Sequence, residues 1–75
     1  MTTITKALIN KKIRHTGLTI VGNGDGYFYF IDDDGWEVGN ELVYVCYLKH
    51  LTLDEWRREA ERAASEGRRE YPPAR

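Results

Sequence analysis

Along residues 27–31 and 42–48 the apolar side chains come in short runs, YFYFI and LVYVCYL, each bounded by polar or glycine positions. Runs of this length, rich in β-branched and aromatic residues, predict strands. Successive strand side chains point to opposite faces. Tyr27, Tyr29 and Ile31 then share one face, and Phe28 and Phe30 share the other. In the second run Leu42, Tyr44, Cys46 and Leu48 lie opposite Val43, Val45 and Tyr47. Neither run alternates cleanly between apolar and polar. Either both sheet faces are covered, or one shows aromatic rings to water. Aromatic residues are mostly core material, so the plainer expectation is a helix on one face and the N-terminal segment on the other. The alternative is an exposed aromatic face, and large apolar patches mark binding surfaces.

The rest of the chain supplies elements around these strands. Ile4 with Leu8 and Ile9 with Ile13 have helical spacing, although the two pairs do not form one stripe. Gly17 is placed to end a helix, with Lys11, Lys12, Arg14 and His15 complementing its C-terminal dipole. This predicts a helix over residues 5–15. Residues 18–21 read as a strand, followed by Gly22-Asn23-Gly24-Asp25-Gly26, whose Asn-Gly and Asp-Gly steps signal a hairpin. That strand should pair antiparallel with residues 27–31. Asp33-Asp34-Gly35 gives the next turn, residues 36–38 a short extra strand, and Gly39-Asn40 a break before a strand over 41–48. Thr52 and Glu55 form a capping-box pair, with Leu51 and Trp56 as a hydrophobic staple. The helix they open carries Leu53, Trp56, Ala60, Ala63 and Ala64 on one stripe and ends at Gly67. The expected fold is α+β: an N-terminal helix, a three- to four-stranded antiparallel meander, and a C-terminal helix packed on one sheet face.

Length changes the picture by limiting it. Seventy-five residues allow one modest core. Residues 1–67 should form the domain, and residues 68–75, RREYPPAR, a flexible tail in which Pro72 and Pro73 bar helix and central strand. No segment has the length of a membrane span or the pattern of a signal peptide. Cys46 is the single cysteine and reads as a small buried hydrophobe, which suits a reducing cytoplasm. Charge is uneven. Residues 1–22 carry four bases and no acid, residues 23–45 six acids and no base, and residues 46–75 seven bases and six acids, giving the net −1. An acidic centre argues against a simple nucleic-acid binder, which shows a dominant basic footprint.

No pattern supplies catalytic chemistry. Gly22-x-Gly24-x-Gly26 lacks the following helix that a phosphate-binding loop needs. Aligning Gly35 with the glycine of a calcium-binding EF-hand loop puts Phe30 at the first ligand position, where it cannot coordinate. His15, Cys46 and His50 lack the paired spacing of a zinc site. Ser65 is the only serine and has no base and orienting group around it in the sequence. The expectation is a non-enzyme with no metal and no cofactor.

GYFYF, then VYV, then LKHLTLDEW resemble small open reading frames of phages and prophages over residues 17–58. The resemblance implies an accessory or anti-defence protein that binds a host protein or complex in the bacterial cytoplasm, as anti-CRISPR proteins do. The leading reading is a protein-binding module. In it Asp32, Asp33, Asp34, Glu37 and Glu41 face a basic partner surface, with Trp36 as aromatic anchor. The plainer account is that these turn acids are solvated and keep edges from pairing. The alternative reading is nucleic-acid or nucleotide binding, with bases stacked on Tyr27, Tyr29 or Tyr47 and phosphates held by Lys11, Lys12 and Arg14. A homodimer through the tyrosine face or a free strand edge would bury a surface that so small a domain leaves open.

Overall fold

The structure is a computed structural model that describes residues 3–22, 26–45 and 47–68. Its elements are helix α1 (Lys6–Lys12), a 3₁₀ turn at Arg14–Thr16, strands β1 (Thr19–Gly22), β2 (Phe28–Ile31) and β3 (Glu37–Val43), a second 3₁₀ turn at Leu48–His50, and helix α2 (Leu53–Glu66). The strands form an antiparallel sheet in the order β1-β2-β3. This is the expected α+β fold. Residues 1–2, 23–25, 46 and 69–75 lie outside the described residues, and with them the expected Asn-Gly and Asp-Gly hairpin turn, the expected burial of Cys46 and most of the expected tail.

Helix α1 starts at Thr5, whose hydroxyl accepts from the Leu8 N–H at 3.2 Å. It is shorter than the expected 5–15. At β-branched Ile13 the chain tightens into the 3₁₀ turn, where the Thr16 hydroxyl donates to the Ile13 carbonyl at 2.6 Å and accepts from Leu18 N–H at 3.2 Å. Gly17 then takes the left-handed conformation, at φ 75°, that lets the chain reverse. The Asn10 side chain of α1 accepts from the Ile20 N–H at 2.9 Å and so occupies part of the β1 edge.

Helix α2 has the predicted capping box: Glu55 N–H donates to Thr52 Oγ1 at 3.1 Å, and Thr52 N–H donates to Glu55 Oε1 at 2.9 Å. Trp56 is fully buried, meets the rings of Phe28 and Phe30 edge-on, and donates its indole N–H to the Leu48 carbonyl at 2.8 Å. Ala60 and Ala63 are buried on the same stripe, but Ala64 is exposed. Eight residues beyond Trp56 it has rotated about 80° away from that side chain. Ile9 of α1 and Ile13, which caps it, share one core with Trp56, Ile20, Phe30, Val38 and Val43.

Two expectations are corrected here. Gly39-Asn40 does not break the chain; β3 runs through it and stops at Val43, well short of residue 48. The C-terminal end of α2 supplies the reason. Gly39 N–H donates to the Gly67 carbonyl and Asn40 N–H to Glu66 Oε1, both at 2.8 Å. Because Phe30 stands opposite Val38 and Phe28 opposite Val43, residues 39–42 bulge against Tyr29 alone. The N-terminal segment also does not cover the second sheet face. Its apolar residues Ile9 and Ile13 join the core on the α2 side, so both helices lie on one face.

Candidate functional site

Cross-strand partners in a sheet share a face, so the pairs Thr19–Ile31, Val21–Tyr29 and Ile31–Glu37 mark the outer one. None of these residues is buried. Tyr27 lies beside Tyr29 with ring centroids 6.4 Å apart, and Tyr44 completes the group at 6.1 Å from Tyr27. Tyr44 is 74% exposed. No described helix packs on this side. The result is a sheet face that no described helix covers, carrying half-buried Val21, Tyr27, Tyr29 and Ile31 beside exposed Tyr44, with Glu37 at one end. Tyr44 was absent from the sequence-based set. The alternation of Leu42 and Tyr44 against Val43 was the signal for it, because buried Val43 fixes its two neighbours outward.

The acidic turn is partly self-neutralised. Asp32 accepts from the Asp34 N–H at 3.0 Å and the Trp36 N–H at 3.1 Å. Arg68, expected to begin the tail, donates to Asp32 at 2.6 Å and to Asp34 at 2.7 Å, and it lies 5.4 Å from the Trp36 ring centroid. Arg68 also forms a single antiparallel bridge with Val38. Partial desolvation works to raise the Asp32 pKa. The hydrogen bonds from Trp36, Arg68 and Asp34 outweigh it and hold this carboxyl below its ordinary value. Trp36 is half-buried beside this network.

The remaining acids diverge. Asp33 is exposed at the turn, and Glu37 lies on the outer face. Glu41 is exposed in the bulge on the α2 side: the hydrogen bond that Arg62 donates to Glu59 is the main cause that raises the Arg62 pKa, and the charge of Glu41 adds to it. Even so, residues 26–45 hold five acids and no base, so with Arg68 the hairpin stays strongly negative.

The alternative set is also dispersed. Lys11 and Arg14 line an open groove of about 490 Å³ with Asn10, Thr19 and Asp33. Lys12 reaches Asp54 at 3.6 Å. Tyr47 is 62% exposed but stands elsewhere, in an apolar cleft with Lys6 and Lys49. Those two lysines gave no sequence signal, because Lys6 meets Tyr47 only through folding. His15, in the 3₁₀ turn that follows α1, contacts Glu61 of α2 at 2.6 Å and so ties that turn to α2.

Among the described residues no group of three or more His, Cys, Asp or Glu side chains is arranged to hold a metal ion, and no helix is long and apolar enough to cross a membrane. No known protein family, curated protein or solved structure matches the chain.

Proposed function

We propose that this chain is a non-enzymatic protein-binding module that docks its outer sheet face, with the acidic β2–β3 hairpin beside it, on a basic protein surface. In the phage setting implied by the resemblance, that partner is a host complex that handles nucleic acid, such as a CRISPR–Cas defence complex, and docking inhibits it in the bacterial cytoplasm. The observation that supports the reading is the group Tyr27, Tyr29 and Tyr44 on a face that no described helix covers, where Glu37 is the only charged residue among the described strand positions. Tyrosine rings and carboxylates together suit arginine, which stacks on aromatic faces and pairs with carboxylates.

Both strand edges have hydrogen-bonding partners within the chain, β1 at Ile20 through Asn10 and β3 at Gly39 and Asn40 through Gly67 and Glu66. A partner is therefore better received on the face than by strand addition. The nucleic-acid alternative has less support, since Lys11, Lys12 and Arg14 line other features than the tyrosine group.

Fluorescence anisotropy with a labelled arginine-rich peptide tests the reading, with a glutamate-rich peptide as control. The double variant Tyr29→Ala and Tyr44→Ala should weaken arginine-peptide binding roughly tenfold, the scale of losing an aromatic hot spot. Equal binding of the two peptides would discard it. A second copy of the chain is the competing occupant of this face. Sedimentation equilibrium showing a dimer that the tyrosine variants dissociate would assign the face to self-association instead.

A further inference from the structure

The cleft that holds Tyr47 has a character of its own. Ile4 precedes α1, Phe28 opens β2, and Tyr47 and Leu48 enter the second 3₁₀ turn; folding brings them together around an open space of about 420 Å³. Phe28 is backed by the edge-on Trp56 ring, with centroids 5.6 Å apart. Lys6 and Lys49 also line the cleft, and among the described residues no carboxylate does. Among the described residues neither lysine makes an ion pair, and the Lys49 ammonium lies 5.7 Å from the Tyr47 ring centroid. An apolar hollow with two unpaired cations at its rim is complementary to a molecule with an apolar body and an anionic head.

We propose that this cleft binds a small amphipathic anion, a flat ring system or short acyl chain carrying one carboxylate or phosphate. Two lysines are too few for a membrane surface, which is read by clusters of four to eight basic residues. They are also too few to track a nucleic-acid strand, and the Tyr47 ring already has Lys49 and His50 against it. The site is independent of the tyrosine face, so neither proposal depends on the other.

Titration of the ¹⁵N-labelled protein with octanoate, 2-naphthoate and AMP, each beside a neutral counterpart (1-octanol, 2-naphthalenemethanol, adenosine), tests it. At least one anion should shift the amides of Ile4, Lys6, Phe28, Leu48 and Lys49 saturably, and its neutral counterpart should bind about five- to tenfold more weakly, as two exposed charge contacts imply. Which anion binds best identifies the source as acyl, aromatic or nucleotide. Lys6→Gln with Lys49→Gln should bring the anion down to its neutral counterpart, with the melting temperature unchanged. Equal affinity for charged and neutral forms, shifts centred outside the cleft, or no saturation by millimolar ligand would overturn the proposal.

Discussion

Arg68 and Asp32 meet at 2.6 Å across 36 residues of sequence, closing the C-terminal end of α2 onto the turn between β2 and β3. The same carboxylate accepts the N–H groups of Asp34 and Trp36, so Asp32 organises the turn more than it offers charge to a partner. Replacing all three turn aspartates is therefore not a clean surface probe. Asp32→Asn should lower the melting temperature clearly, whereas Asp33→Asn at its exposed position should leave it nearly unchanged. Thermal denaturation followed by circular dichroism separates the two.

The Asp32 carboxyl has a pKa below its unfolded value of 3.8. A depressed carboxylate contributes stability that is fully present above the unfolded pKa and is lost as pH falls through the folded one. The native protein should lose melting temperature as pH drops below about 4, the ordinary carboxylate range. Asp32→Asn should show a shallower loss over the same interval. Parallel slopes for the two proteins would remove Asp32 from the acid response.

Gly39 adopts φ 96°, and a Cβ there would lie 2.8 Å from the Ala63 Cβ and 3.1 Å from its Cα. Two costs combine in Gly39→Ala: a left-handed backbone worth about 1–2 kcal/mol and overpacking worth about 1–3 kcal/mol. Gly17, at φ 75° with nothing within 4 Å of the added methyl, carries only the first. Urea denaturation should rank Gly39→Ala as the more damaging by at least 1 kcal/mol, on the order of the overpacking cost alone.

Trp56 fills the centre of the core, and its indole N–H satisfies the Leu48 carbonyl. Trp56→Phe removes that donor and part of the volume, at a cost of about 1–3 kcal/mol for the lost hydrogen bond. Loss of the Leu48 anchor should also loosen the turn at Leu48–His50. Amide exchange should then rise at His50 and Leu51, whose N–H groups bond to Tyr47 and Leu48.

Local signals made much of the fold legible. The Thr52–Glu55 box and Gly17 are chemical statements confined to a few neighbouring residues, and both are where the sequence placed them. Long-range partners decided the rest. Gly39-Asn40 reads as a break, because no sequence rule reveals that Gly67 and Glu66 will bond to their N–H groups. Arg68 looked like tail for the same reason: its partners are 34 and 36 residues away. For the site, alternation identified Tyr27 and Tyr29 as neighbours on one face, but the contact of Tyr44 with Tyr27 depended on where β3 pairs. The basic residues beside Tyr47 are Lys6 and Lys49 rather than Lys11, Lys12 and Arg14, since only folding sets α1 against the second 3₁₀ turn.

The most direct test of the central claim is amide chemical-shift mapping of the arginine-rich peptide on the ¹⁵N-labelled protein. Perturbations should be saturable and concentrated at Thr19, Val21, Tyr29, Ile31, Glu37 and Tyr44, residues of the tyrosine face. They should disappear in the Tyr29→Ala, Tyr44→Ala protein. Perturbations confined to the helical side, or none at millimolar peptide, would contradict a binding role for the tyrosine face.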